Sequence, residues 1–336
     1  MTYPSPLVDK LPKLVVHADW SVHPHKRWMA HALHGELGYM LNPAEPVGDV
    51  RTLFTRLRSR VGPDDAILIG FDFPIGIPAA YAQAAGIESF RNWLPQLGRD
   101  EWATFFEVCG NAAEIAPQRP FYPHAPGGKR QAHLTTALGV ETMDELRRRC
   151  ERRTVARGPA SPLFWTLGAK QVGKGAITGW RDVLAPALSA EQPIALWPFD
   201  GDLQALLNRP QIVVAETYPA ESCLHVGMRA PGASTWSKRK QQDRTAKQTE
   251  FFRWINSREC PTNGNYIQQI TSGFGEGADG EDPFDAVVGL CTLLDVVLGR
   301  RSEGAPWDAE VRDHEGWILG LRQEELLSGT TTVSVR

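Results

Sequence analysis

Residues 66–78, Ala-Ile-Leu-Ile-Gly-Phe-Asp-Phe-Pro-Ile-Gly-Ile-Pro, determine how the rest of the chain is interpreted. The run 66–73 is apolar without alternation, which is typical of a central strand covered on both faces. The strand ends in an acid, Asp72, and the prolines at 74 and 78 prevent it from continuing. The stretch therefore predicts a buried central strand with a carboxylate at its end.

The segment before this strand predicts three more strands and a helix. Residues 13–20 are a short β-rich run that ends close to an acid, Asp19. Residues 27–33 and 36–41 are short apolar runs separated by His-Gly, which favours an antiparallel hairpin. Residues 47–61 carry apolar side chains at helical spacing and stop before Gly-Pro. The predicted order up to this point is β-β-β-α-β.

The segment after the central strand adds further strands and a buried helix. Residues 193–197 and 211–218 predict two strands, and the second contains Glu216 near its end. Residues 282–298 predict a buried helix, because they are apolar nearly all round, begin with Asp-Pro and stop at Gly299. We therefore expect an α/β fold in which three antiparallel strands precede parallel strands, with helices flanking the mixed sheet.

The length of 336 residues suggests two compact domains or one elaborated α/β domain. The composition, 42% hydrophobic and 22% charged, is that of an ordinary globular protein. The four acids discussed below must converge if they form one site, so we expect a single domain over residues 1–336. Residues 86–190, which are rich in Trp, Pro and Arg, are predicted to be a large, mostly helical insertion with a long loop.

Cysteine usage and hydropathy indicate where the protein works. The five cysteines are widely spaced and include no C-x-x-C pair, so no structural zinc site is predicted and a reducing compartment fits best. The N-terminus lacks the apolar core of a signal peptide, and no run of about 18 uncharged apolar residues occurs. We therefore expect a cytoplasmic protein without a membrane partner.

The charge distribution is uneven. Thirty-six Lys and Arg against 39 Asp and Glu give a net charge of −3, which excludes a global positive field for nucleic acid. Residues 237–258 are a local exception, with seven Lys or Arg against two acids and with aromatic residues interleaved. That composition suits a phosphate backbone and stacked bases, although a solvated amphipathic helix would look the same. The Arg-rich residues 147–157 are a second candidate, for which a solvated face is the simpler interpretation.

Four acids share a setting that suits catalysis. Asp19, Asp72 and Glu216 each lie at the C-terminal end of a predicted strand. Asp285 lies in the first turn of the buried helix, where Gly289 one turn later lets the backbone approach the sheet closely. Carboxylates at one edge repel one another unless cations neutralise them, and two Mg²⁺ ions about 4 Å apart can promote phosphodiester cleavage. Each acid alone is more often structural, so the prediction depends on the set and its order.

Two weaker patterns accompany the acids. Residues 168–175 match the first seven positions of the phosphate-binding G-x-x-x-x-G-K-[ST] pattern, but Gly175 stands where a hydroxyl should bind Mg²⁺. A Gly-rich turn that offers backbone N–H groups and Lys174 to a phosphate is the simpler interpretation. His17 lies on the same strand face as Asp19 and is a candidate metal ligand, although a core histidine with a satisfied hydrogen bond is commoner.

Three segments resemble the family called domain of unknown function 429 (DUF429): residues 70–78, 215–219 and 281–289. The D-x-P-x-G-x-P segment together with the E-x-Y-P segment is the most specific part of the resemblance. The members of that family are similar to ribonuclease H-like proteins. The resemblance covers about residues 13–80 and 191–300.

The resemblance implies a ribonuclease H-like sheet and a metal-dependent nuclease. Nucleases of that superfamily place acids on the first strand, on the following central strand and on the last helix, and they bind two Mg²⁺ or Mn²⁺ ions. Asp19, Asp72 and Asp285 match those positions and are the expected metal ligands. Glu216 is an extra acid of this family's own motif, expected to act as a further ligand or as a base on the attacking water.

The predicted activity is hydrolysis of DNA or RNA. Five cations are expected to contact phosphates: Lys174, Lys238, Arg239, Lys240 and Arg244. One alternative is an ATP-dependent phosphotransferase or ATPase on the same core, with the Gly-rich residues 168–175 or 273–280 cradling phosphates. A second alternative is a non-catalytic binding protein whose acids only cap strands.

Overall fold

The computed structural model describes residues 10–155, 157–168, 172–190, 193–228 and 236–327. Within these ranges six strands form one mixed sheet, in the order β3-β2-β1-β4-β6-β5. Their bounds are β1 (Leu14–Asp19), β2 (Trp28–Gly35), β3 (Gly38–Pro46), β4 (Ile67–Phe71), β5 (Ile194–Leu196) and β6 (Ile212–Glu216). β1, β2 and β3 pair antiparallel, whereas β4, β6 and β5 run parallel to β1. The predicted α/β class and mixed sheet are confirmed.

Short helices surround the sheet, and one long helix crosses it. Their bounds are α1 (Leu53–Arg58), α2 (Ala79–Ala85), α3 (Phe90–Trp93), α4 (Gln131–Leu138), α5 (Val172–Gly179), α6 (Ala185–Ser189), α7 (Leu203–Leu207), α8 (Pro219–His225), α9 (Gln241–Thr245), α10 (Gln248–Ser257), α11 (Gly264–Thr271) and α12 (Glu281–Val297). None of the helices that the structure describes is long and apolar enough to cross a membrane.

The sheet separates two hydrophobic layers. Val16, Ile69 and Phe71 point to one face, here called the insertion face, where side chains from residues 86–190 cover them. Val15 and Leu68 point to the opposite face, here called the helix face, which α12 covers. Because both faces are covered, β1, β4 and β6 are buried along their whole length, and this explains their unalternating apolar sequences.

α12 approaches the sheet closely, as predicted from its glycine. A Cβ atom at Gly289 would lie only 2.3 Å from the His17 ring on β1, so no larger residue fits without movement. The helix begins at Glu281 with Gly280 as its N-cap, so the predicted start at Asp282 was slightly late. All positions from Pro283 to Val297 are buried, which confirms the prediction of a buried helix.

The insertion over residues 86–190 differs from the prediction. Its α-helices are short and long irregular segments connect them, so the expectation of a mostly helical insertion was wrong. Aromatic packing holds it instead: Trp93, Phe105 and Trp180 form a buried cluster with ring centroids 4.9–6.4 Å apart. The insertion shares one hydrophobic layer with the strands, so it is part of the sheet's core.

Candidate active site

Asp19 and Asp72 lie side by side at the ends of the parallel strands β1 and β4. The Asp72 N–H donates to the Ala18 carbonyl at 3.1 Å, which fixes the two strand ends in register. Side chains alternate between the two faces along a strand. Asp19 therefore lies on the same face as Val15, and Asp72 on the same face as Leu68, which is the helix face. The sequence expectation that these two acids converge agrees with this arrangement.

Asp285, the fifth residue of α12, reaches the same place, and the three carboxylates influence one another. Burial, and then the charges of Asp285 and Asp72, raise the pKa of Asp19 well above its usual value. Burial and the Asp285 charge raise the pKa of Asp72 to about 8. The neighbouring Asp282, in the same helical turn, also raises the pKa of Asp19. We name Asp19, Asp72 and Asp285 the acidic triad.

Lys238 is the counter-ion of one member of this triad. Its Nζ donates to Asp285 Oδ1 at 2.7 Å and to Oδ2 at 2.5 Å. Burial lowers the pKa of Lys238, but the adjacent carboxylates, above all Asp285, outweigh burial and raise it above its usual value. The structure thus places Lys238 at the acids, although the sequence predicted it as a contact for substrate phosphates.

Glu216 lines the same cavity as Asp72 and Asp285, and its charge helps to raise the pKa of Asp72, but its carboxylate has partners of its own. In the sheet register Glu216 is opposite Phe71, so its side chain belongs to the insertion face rather than the helix face. There the completely buried Arg148 donates to its two oxygens at 2.6 and 2.7 Å. The Ile75 N–H donates to the same carboxylate at 2.7 Å. Both oxygens are therefore engaged, and Glu216 holds the loop after β4 in place.

Two other arginines of residues 147–157 are also structural. Arg157 is 8% exposed and pairs with the buried Glu221 at 2.8 Å. Arg149 pairs with Asp308 and Glu315 at 2.6 and 3.2 Å. Neither a solvated face nor a nucleic-acid patch describes these side chains, because their charges are satisfied inside the protein.

The basic segment 237–258 is less available to a ligand than its composition indicates. Arg244 is completely buried and donates to the carbonyls of Gly273 and Gly275 at 2.7 and 2.8 Å, so its predicted contact with phosphate is wrong. Phe251 and Trp254 are packed in the hydrophobic layer of the helix face and offer no stacking surface. Arg239 and Lys240, in contrast, are exposed next to Lys238.

The two Gly-rich loops that the sequence offered as phosphate cradles differ in structure. Arg244 binds carbonyls of the 273–280 loop, and a Cβ at Gly280 would lie 2.2 Å from its guanidinium, so this loop is built around an internal cation. Residues 169–171 of the 168–175 loop lie outside the described residues. Lys174 itself lies on α5 and is partly exposed, while Gly173 packs so closely on Leu163 that a Cβ would lie 2.1 Å from its carbonyl oxygen.

A cavity of about 670 Å³ opens at the triad. Asp72, Asp285, Lys238 and Glu216 all line it. Trp20 and Tyr218 line it as well, although the sequence predicted no role for either of them. Tyr218 is the tyrosine of the E-x-Y-P segment, and Trp20 directly follows Asp19, so both lay within reach of the motifs. The volume is in the range of small-molecule sites.

The chemistry of the triad suits a hard divalent cation. Asp19 is only 7% exposed, yet its carboxylate has no hydrogen-bond or ion-pair partner in the described part of the chain, and the same holds for the Asp72 carboxylate. Buried carboxylates without partners are costly unless a cation joins them. Among the described residues, no group of three or more His, Cys, Asp or Glu side chains lies so that it could hold a metal ion. The Lys238 ammonium instead holds Asp285.

His17 is a core histidine rather than a metal ligand. Its Nδ1 lies 3.0 Å from the Ala286 carbonyl, and burial lowers its pKa to about 3. The ring packs against Gly289 on α12 and therefore faces the helix. His17 thus stays neutral and helps to set the distance between α12 and the sheet.

Comparison with known proteins found no matching family model, no similar curated protein and no similar solved structure. The resemblance to the DUF429 family therefore depends on the three motifs alone. The functional interpretation depends on the residues around the cavity.

Proposed function

We propose that the chain is a metal-dependent, ribonuclease H-like phosphodiesterase that hydrolyses DNA or RNA. The observation that carries the proposal is the acidic triad: carboxylates from the end of β1, from the end of β4 and from the N-terminal part of α12 lie close enough to shift one another's pKa, and two of them, Asp72 and Asp285, line one cavity. The sheet order, with three antiparallel strands followed by strands parallel to the first, supports the same assignment. Fold alone is a weak argument for a reaction, so the site is the main support.

The donor set would hold Mg²⁺ or Mn²⁺ through Asp19, Asp72 and Asp285. Such an ion, when bound, supplies an activated water and stabilises charge on the leaving oxygen. Lys238 positions the Asp285 carboxylate, with which it makes two hydrogen bonds. Arg239 and Lys240, which are exposed beside Lys238, are placed to contact the phosphates of a bound strand.

In this proposal Glu216 is neither a metal ligand nor a base, unlike the role expected from the sequence. Its lone pairs are directed at Arg148 and at the Ile75 N–H, so it acts as a positioning residue for the cavity wall. Glu216 therefore does not act as the base on the attacking water. This is a narrower site than the four-carboxylate site that the sequence predicts.

The test is hydrolysis of a panel of single-stranded, double-stranded and branched DNA and RNA with Mg²⁺ or Mn²⁺. We expect activity in the wild type and a loss of at least about 100-fold in Asp72→Asn, because a metal ligand or its charge is removed. Asp64→Asn is the matched control, since Asp64 is exposed and remote from the cavity. Equal activity in wild type and Asp72→Asn would contradict the proposal.

The ATP-dependent alternative is tested by thermal unfolding with and without ATP. The 273–280 loop directs carbonyls at Arg244, whereas a phosphate cradle needs N–H donors. We therefore expect no rise in melting temperature with ATP and Mg²⁺ beyond that with Mg²⁺ alone. A larger rise with ATP would favour the phosphotransferase.

A further inference from the structure

The charges at the acidic triad are already partly neutralised by the protein itself. Three carboxylates meet there, and one ammonium, that of Lys238, lies among them. Its Nζ contacts both oxygens of Asp285 at 2.7 and 2.5 Å, so this carboxylate has a resident cation. When Asp19, Asp72 and Asp285 are all ionised around a bound metal, Lys238 leaves two negative charges in the triad, which a single divalent ion balances. Two divalent ions would leave an excess of positive charge.

The two carboxylates without a partner are also the two that lie side by side. Asp19 and Asp72 follow Ala18 and Phe71, which are directly opposite each other in the parallel pairing of β1 and β4. Asp19 is 7% exposed and lies on the helix face, from which Asp285 approaches. A carboxylate of this kind, largely buried and without a hydrogen bond or an ion pair in the described residues, favours the binding of a cation.

We propose that the acidic triad binds one divalent ion, held between Asp19 and Asp72, and that the Lys238 ammonium takes the place of a second ion at Asp285. The inference rests on the proposed function and narrows it, because the resemblance implies a site for two ions. Lys238 is then a positioning residue: it keeps Asp285 charged and oriented and keeps a second metal out.

The number of bound ions tests this directly. The full chain is freed of metal with EDTA and titrated with Mn²⁺ by calorimetry. The electron paramagnetic resonance spectrum of the bound Mn²⁺ then separates isolated ions from coupled pairs. We expect one Mn²⁺ per chain and the signal of an isolated ion in the wild type. Lys238→Met, which removes the charge but keeps the length, is expected to bind twice as many Mn²⁺ and to give the signal of a coupled pair.

Lys240→Met is the matched control, since Lys240 is exposed two residues away and is expected to leave the count at one. Lys238→Gln replaces Lys238→Met if the latter does not fold, and the wild-type count is informative without either variant. Two Mn²⁺ ions in the wild type would overturn the inference and leave the proposed function standing. One ion in both the wild type and the Lys238 variant would overturn the role of Lys238. No Mn²⁺ bound to the wild type would overturn the proposed function together with the inference.

Discussion

Replacing Arg148 by methionine is expected to destabilise the whole protein. Arg148 is completely buried and donates to Glu216 at 2.6 and 2.7 Å, to Glu151 at 3.0 Å and to the Glu315 carbonyl at 3.1 Å. Removing one partner of a buried ion pair leaves an uncompensated charge and costs roughly 3–5 kcal/mol. Because Arg148 pairs with two buried carboxylates, those of Glu151 and Glu216, we expect the cost of Arg148→Met to lie in the upper part of that range.

The assay is equilibrium unfolding in urea at pH 7.5. Arg152→Met is the matched control, because Arg152 is exposed in the same segment and should change the free energy of unfolding by less than about 0.5 kcal/mol. A cycle with Glu216→Gln should give a coupling energy of roughly 0.5–3 kcal/mol. If Arg148→Met costs no more than Arg152→Met, the ion pair does not hold the insertion to the sheet, and the structural role assigned to Glu216 is wrong.

Three further outcomes are expected. In EDTA, Asp19→Asn should raise the free energy of unfolding by about 1–3 kcal/mol, because it removes a buried charge without a partner. With Mn²⁺, the rise in melting temperature seen for the wild type should disappear in this variant. A variant less stable than the wild type in EDTA would contradict this. Burial lowers the pKa of the His225 imidazole to about 3. Below the usual histidine pKa of about 6.5 the unfolded chain therefore binds a proton that the folded chain does not, and stability is lost as pH falls through 6.5. Relative to His225→Gln, the wild type should lose about 2 kcal/mol between pH 7.5 and 5, and parallel urea-denaturation profiles would argue against it. Gly289→Ala should cost about 1–3 kcal/mol because its Cβ would meet the His17 ring, whereas Gly264→Ala, whose Cβ meets open space, should be near neutral by thermal unfolding.

Much of the sheet could be predicted because its signals are local. Unalternating apolar runs mark the covered strands, and the apolar helix with Gly289 predicts a close approach to the sheet. The placement of Glu216 could also have been derived. An acid at a strand end points to one face or the other according to its register, and the pairing with Phe71 puts Glu216 on the insertion face. Proximity to a strand end alone does not decide which acids meet.

The partners of the acids could not be predicted, because they come from distant parts of the chain. Arg148 lies 68 residues before Glu216 in a segment without periodicity, and Lys238 lies 47 residues before Asp285. A basic run looks the same in sequence whether its cations face solvent, like Arg239, or are buried, like Arg244. Only packing distinguishes them, since a buried guanidinium needs carbonyls or carboxylates that the fold brings to it.

The two most specific motifs of the resemblance are in direct contact. The carboxylate of the E-x-Y-P segment, Glu216, accepts from the N–H of Ile75 inside the D-x-P-x-G-x-P segment at 2.7 Å. The glycine of that segment, Gly76, has φ 141°, and a Cβ there would lie 2.0 Å from the Glu315 carbonyl oxygen. The proline-rich turn after Asp72 is therefore fixed from both sides. Glu216 thus sets the direction in which the chain leaves Asp72, one of the two triad acids that line the cavity.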